Sequence, residues 1–587
     1  FLCIEFKRRF YYTTVPRSKL ISQTESKQKI MYRYDQYDHQ MLADRIAQFR
    51  DQTRRFLEGK LSDAEFLPLR LQNGLYVQRL APMLRVAIPY GMLSSVQMRK
   101  LAFIADQFDK GYGHLTTRQN IQFNWPALAD VPDILAHLAE VEMHAIQTSG
   151  NCIRNTTTDQ FAGVAVDEVE DARAYCEIIR QWSTFHPEFA FLPRKFKIAV
   201  CGTRQDQAAT QVHDIGLYLL KNEHNEIGFR VLVGGGLGRT PVIGSEIKAF
   251  LPQEHLLTYL DAILRVYNRE GRRDNKYKAR IKILVKETGV SDFRDKVEYE
   301  WMLLKDGPLT LTSVEVQRCR AFFHDPHYKS LPSHSYDLEA ALNTDVLFSA
   351  WYEQNISEHK KPGYAIVTVC VKKTGFAPGD LDSDQMRFIA DLSERYSFGE
   401  MRITHTQNLV LADVEKSQLY DLWKDLKIRD LEADNLGLLS DMICCPGGDF
   451  CSLANAKSIP VAEAIQRRFS VSQLREIGQL SLNISGCMNA CGHHHVGNIG
   501  ILGVDKKGEE YFQISLGGSA DHNTALGKIV GPSFSQEEVP AVIEKIVTVY
   551  QQHKAYGESF LHTYNRLGMD PFKEALYGIK ADEHHTD

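Results

Sequence analysis

The chain has 587 residues, 43% apolar and 24% charged, and 69 basic against 74 acidic side chains give a formal charge of −5. That length exceeds what one hydrophobic core organises, so several domains are expected. The charge balance points to no nucleic-acid partner, no apolar run reaches membrane-spanning length, and 11 cysteines in so long a chain make no disulfide framework. Scattered thiols fit a reducing, cytoplasmic setting.

Residues 1–30 begin with Phe1 and carry Lys7, Arg8, Arg9, Arg17, Lys19, Lys27 and Lys29 against Glu5 and Glu25. An apolar start followed by charge is the wrong order for a secretory signal. An Arg-rich, acid-poor segment matches an organelle transit peptide, but a non-native extension ahead of Met31 is the preferred reading. An N-terminal arm with a helix is expected over 31–60.

An internal repeat organises the middle of the chain. QMRKLAFIADQFDKGYGHLTTRQN at 97–120 echoes QMRFIADLSERYSFGEMRITHTQN at 385–408. Each copy follows an apolar strand, 84–88 or 364–371, and a helix with Ser95 or Ser383 near its start. A second strand is expected to hold the Gln-Asn pair. Strand–helix–strand units recurring this far apart predict a duplicated α/β domain with pseudo-two-fold symmetry, with halves at 61–147 and 346–425. Between them, 148–345 has strands at 196–200 and 229–233 and a basic run at 272–282. The glycine run VLVGGGLGRT at 231–240 lacks the G-x-G-x-x-G pattern and the following acidic residue of a dinucleotide site. From 426 to 587, Val496, Ile499 and Ile501 read as a strand, and 537–556 as a packing helix.

This last segment carries Cys445-x5-Cys451 and Cys487-x3-Cys491, in CCPGGDFCSLANA and NISGCMNACGHHH. Four thiolates from two tight turns can hold a tetrahedral metal or a cubane iron–sulfur cluster. Nearby glycines let the backbone bend closely around an inorganic core. The spacing argues against zinc, whose structural sites favour shorter Cys pairs. Unrelated buried thiols are the bland alternative.

The Cys pattern, with GCMNACG as its second half, resembles the sulfite/nitrite reductase hemoprotein family, and the likeness runs from about Leu80 to Tyr556. It implies an α/β fold with duplicated ferredoxin-like and siroheme-binding halves, as three domains around a central cofactor. It implies a 4Fe–4S cluster on Cys445, Cys451, Cys487 and Cys491, with Cys491 also bridging to the iron of siroheme, a carboxylate-rich tetrahydroporphyrin. Cys444 is out of register and reads as structural.

In MLRVAIP, Leu84, Val86 and Ile88 alternate as a buried face, which turns Arg85 to the other side. Lys195 and Lys197 flank Phe196 and share one strand face. A lone basic residue is more often a solvated charge, but Arg85, Arg154, Lys195 and Lys197 match the family's substrate cations. HLTTRQNIQF at 114–123 resembles its siroheme-binding strand, so Thr116, Thr117, Arg118, Gln119 and Gln122 are candidate carboxylate ligands, with Arg194 and Asn408. His114 stands where the family usually has Arg, which predicts a pH-sensitive carboxylate contact. Ala87 replaces a second Arg. His493, His494 and His495 cannot all face one ion, so structural contacts are expected, with a proton relay as the alternative.

The implied activity is six-electron reduction of sulfite to sulfide, with nitrite reduction to ammonia as the alternative in the same fold. A non-catalytic zinc protein is the alternative from another class. No nicotinamide or flavin signature occurs, so electrons come from a separate donor, an NADPH flavoprotein or a ferredoxin.

Overall fold

A computed structural model of the chain describes residues 31–78 and 80–578; the question of where the product begins within 1–30 lies outside them. Four sheets form two related pairs. The first sheet orders the strands Leu75–Val77, Pro82–Val86, Ile121–Phe123, Tyr112–Leu115 and Asp380–Asp382. The second orders Ile356–Glu358, Tyr364–Val369, Leu409–Glu415, Glu400–Ile403 and Met92–Ser94. Each half therefore lends its edge strand to the other: Asp380 pairs with His114, and Arg402 with Met92.

A helix follows each lent strand, Ser95–Phe108 and Ser383–Tyr396. Both start on capping boxes, Ser94 with Gln97 and Asp382 with Gln385, so the N-caps lie one residue before the expected serines. Their outer faces are tied by Arg99 to Asp391 and Glu394, and by Arg387 to Asp106. The apolar faces of both helices bury into one cluster shared by the two sheets, including Leu101, Ile104, Met386 and Ile389.

The second pair repeats just as closely. Strands Thr157–Thr158, Ile198–Cys201, Ile215–Lys221, Ile227–Val233 and Ser245–Pro252 run parallel, parallel, antiparallel, antiparallel. Strands Ile443–Cys444, Leu482–Ser485, Ile499–Lys506, Glu509–Leu516 and Lys528–Ile529 follow the same scheme. Each sheet has its own apolar cluster, one around Trp182, Phe196, Phe229 and Tyr259, the other around Ile465, Ile484, Ile501 and Ile546. The fold is thus mixed α/β, with two ferredoxin-like halves on a common core and two further related sheet domains.

Several boundaries differ from the expected ones. The strand expected at 84–88 is Pro82–Val86, because Ile88 N–H turns to the Asn120 side chain and Pro89 follows. The strand expected at 196–200 is Ile198–Cys201, since Phe196 bridges to Ile153 outside the ladder. Val496 lies in a 3-10 turn ahead of Ile499–Lys506, and the last long helix is Val539–His553. The Gln-Asn pairs sit in tight turns between strands, with Gln119 and Gln407 at φ 55 and 63. Leu338 and Ala341, from the helix Tyr336–Thr344, pack with the ferredoxin-like halves. Among the described residues no helix is long and apolar enough to cross a membrane.

Candidate active site

The two Cys loops are stitched together at Gly486. Its carbonyl accepts from Asn455 and Ala456 N–H, and its own N–H donates to Cys445 Sγ at 3.2 Å. Ser458 Oγ stands 3.7 Å from the same sulfur. Cys451 N–H bonds Gly447 O, and Ala490 N–H bonds Cys487 O, which fixes the remaining turns. Burial, then Cys491, pushes the Cys445 thiol up to about 12 and Cys487 up to about 11, so a metal must displace their protons. Among the described residues no three His, Cys, Asp or Glu side chains draw in to one ion-sized point. Around zinc the sulfurs would stand about 3.8 Å apart by tetrahedral geometry; a cubane, with an iron at each ligated corner, spaces them more widely. Cys444 belongs to the apolar cluster of its own sheet.

The cations gather near Cys491 and Cys451. Arg85 is half-buried on its strand, opposite Gln122, whose Oε1 accepts from Arg85 Nη2 at 2.8 Å. Arg154 is held by the carbonyls of Thr148 and Gly150. Its N–H bonds Phe196 O, which places it beside Lys195 and Lys197, while Phe196 is fully buried. Arg118 donates to Thr157 Oγ1 and Asn155 O and faces His213 Nε2. Arg194, Lys195 and Lys197 lie in one electrostatic neighbourhood with Arg118, Arg154 and Arg280. A carboxylate among them, Asp214, is committed to Arg280 at 2.7 Å and to Lys197 N–H.

Burial, reinforced by the neighbouring cations, lowers Arg118 to about 9. It lowers Lys195 to about 8, with Cys491 opposing the shift, and Lys197 well below the ordinary lysine value. Burying this much like charge is costly without a counter-charge. Arg85 Nε and Arg118 Nε are also buried without a partner. A group of cations with few anions, Lys195 and Lys197 near Cys491 and Arg85 near Cys451, fits a polycarboxylate tetrapyrrole, a small anionic substrate and an iron–sulfur cluster.

The remaining sequence candidates have other partners. Thr116 Oγ1 accepts from Arg118 and Asn120 N–H and shapes the turn. Thr117 Oγ1 donates to Cys491 O at 2.9 Å, joining this turn to the cysteine loop. Gln119 exchanges both side-chain bonds with the Thr158 backbone. Asn408 accepts from Val371 N–H and donates to Asp441. Gln119 and Asn408 thus have their side-chain bonds met within the protein. His114, expected near a carboxylate of the cofactor, instead lies 2.6 Å from Asp380 Oδ1, across the strand lent by the other half. His495 bonds Gly238 O, His493 lies near Lys197 and Arg118, and His494 is buried with both ring nitrogens unpartnered. Sequence reasoning missed Arg280 and His213; Arg280 was inside the basic run at 272–282, where its exposed neighbours masked it.

The fold and the site define a redox protein on a duplicated ferredoxin-like and iron–sulfur scaffold. Residues 149–303 and 439–584 match the nitrite and sulphite reductase 4Fe-4S domain, and residues 78–141 and 358–427 the nitrite/sulfite reductase ferredoxin-like half domain. The chain belongs to this nitrite and sulfite reductase family of oxidoreductases, which uses siroheme and a 4Fe–4S cluster. It is 28% identical to the chloroplastic ferredoxin–nitrite reductase of Arabidopsis thaliana, across 79% of this chain and 75% of the relative. It is 27% identical to the sulfite reductase (ferredoxin) of Mycobacterium tuberculosis, across 81% of each. The solved structure of the Mycobacterium tuberculosis NirA protein has the same fold, with a TM-score of 0.72 at 24% identity, over 87% of this chain and 92% of that one.

Proposed function

We propose that the protein reduces sulfite to sulfide, taking electrons from a ferredoxin. The observation that carries this reading is the gathering of cations, Arg85, Arg118, Arg154, Arg194, Lys195, Lys197 and Arg280, among which Asp214 is already paired with Arg280. A dianion gains more from such a gathering than a monoanion does. The donor reading is supported by the ferredoxin-dependent relatives of both kinds.

Cys445, Cys451, Cys487 and Cys491 would hold the cluster, and Cys491 would link it to siroheme iron. When bound, the cluster and siroheme would pass on to the substrate the six electrons that the donor delivers one at a time. Arg85 and Arg154 are aimed before any anion arrives, by Gln122 and by backbone carbonyls. Such preorganised donors stabilise charge as it shifts onto the departing oxygens. Lys195 and Lys197 neutralise the dianion. Lys195, lowered to about 8 in the ligand-free protein, holds a proton that is readily given near neutrality. Each oxygen leaves as water after receiving two protons.

Nitrite is the second reading, since relatives named nitrite reductase are as similar as those named sulfite reductase. Steady-state rates with each anion, using reduced ferredoxin and then a reduced viologen, decide between them. A higher kcat/KM for sulfite is the expected result, and a clear preference for nitrite rejects the proposal. The purified protein should show a Soret band and acid-labile sulfide.

A further inference from the structure

Gln407 sits in the second copy of the Thr-x-x-Gln-Asn turn, with a buried side chain. Its Oε1 accepts from Cys444 N–H at 2.9 Å. Its Nε2 lies 3.0 Å from Cys444 O, 2.8 Å from Leu115 O and 3.0 Å from His114 Nε2. One amide thus replaces a neighbouring strand for the two-residue strand Ile443–Cys444, whose next residue is Cys445. That strand has a backbone neighbour on one side, Leu482–Ser485.

Gln119 makes the same two backbone bonds to Thr158 in the other copy, at 2.9 and 3.1 Å. The residue after Thr158 is Asp159, whose carboxylate receives Gly202 N–H, as Cys445 Sγ receives Gly486 N–H. The two anchors differ in what lies behind them. Behind Gln407 stand His114 and Asp380, with Asp380 reaching His114 Nδ1 at 2.6 Å. At the matching point behind Gln119, Met92 occupies the place of Asp380 and Arg402 that of His114. The polar chain Asp380–His114–Gln407–Cys444 is therefore built only on the copy that carries the cysteines.

We propose that Gln407, braced by His114 and Asp380, is a positioning residue for the cluster ligand Cys445. The inference rests on the ligand role proposed for Cys445. Groups that orient metal ligands from behind change metal retention by about tenfold or more when removed.

The test measures chelator-driven loss of acid-labile sulfide, and the electron paramagnetic resonance of the reduced cluster, in the purified holoprotein. Gln407→Leu should lose sulfide about tenfold faster than wild type and shift the cluster signal. Gln119→Leu, which removes the matching anchor, should stay within about twofold and keep the wild-type signal. Equal acceleration in both variants, or none in Gln407→Leu, overturns the proposal. Should Gln407→Leu fail to fold, Gln407→Glu is measured instead; it keeps the acceptor for Cys444 N–H, loses the donor to Cys444 O, and must still shift the signal. A wild-type protein without labile sulfide fails the reading of Cys445 itself, a result distinct from unchanged variants.

Discussion

On the first ferredoxin-like sheet, Arg85 pairs across with Gln122 and their face is polar; on the second, the matching pair is Thr368 with Val410. Ile366, Val410 and Ala412 on that second face are covered by Phe161 and Val164, from the loop after Thr157–Thr158. One face of the duplicated fold thus keeps the polar pair proposed for ligands, and its counterpart is filled by the chain itself. The sheet domains divide in the same way. The Cys445 sulfur and the Asp159 carboxylate receive equivalent glycine N–H groups, but only the former is followed by three more thiols in its loops. The lesson is physical: the shared backbone sets where a site can be, and a few side chains decide which copy becomes one.

Exchanging those side chains should break the comparison most severely. Cys445→Asp gives the cysteine-bearing copy the residue of its counterpart. A carboxylate still accepts Gly486 N–H, so the loop should fold, but a hard oxygen replaces a soft thiolate. Acid-labile sulfide and reductase turnover are expected to fall to background, as measured by sulfide release and viologen oxidation. Lys197→Ala attacks the gathered cations instead. It should lower kcat with sulfite by about a hundredfold, as removal of a preorganised charge donor does. The Soret absorbance per chain should stay close to wild type, which separates substrate handling from cofactor loss.

The residues that were legible in the sequence carry their chemistry in their identity. Four cysteines in two turns point to a metal or an iron–sulfur cluster, the resemblance selects the cluster, and the 97–120 and 385–408 repeat exposes one duplication directly. The second duplication, of 148–345 and 426–587, comes only from the resemblance, because so little of it needs a particular side chain. Gly235 and Gly518 show the requirement: a Cβ on either would strike two backbone carbonyl oxygens at 2.4 to 2.7 Å. Two Gly-Gly pairs, Gly234–Gly235 and Gly517–Gly518, were the available signal. Gln119 is a candidate by resemblance, and His114 stands where the family usually has Arg; neither reading includes the partners that the fold supplies. Their partners lie far along the chain, Asp380 being 266 residues from His114, and local pattern cannot reach so far.

The filled face offers a smaller perturbation. Val164→Ala opens space against Ile366 and Val410 and should cost about 2 kcal/mol, from two lost methylene-sized groups and the gap they leave. Chemical denaturation reads that loss, and cofactor content should not change, because this face is packed with the chain's own side chains. A fall in siroheme occupancy matching the stability loss would mean that the two faces are not independent.

Ser458→Ala sharpens the comparison at its finest point. Ser458 Oγ is buried and lies 3.7 Å from Cys445 Sγ, as a second donor beside Gly486 N–H. A hydrogen bond to a cluster thiolate stabilises the more negative, reduced state, so its loss should lower the reduction potential, by on the order of tens of millivolts. Potentiometric titration of the cluster checks the sign. An unchanged potential would leave Gly486 N–H as the tuning contact, the one whose equivalent in the other copy binds a carboxylate and no cluster.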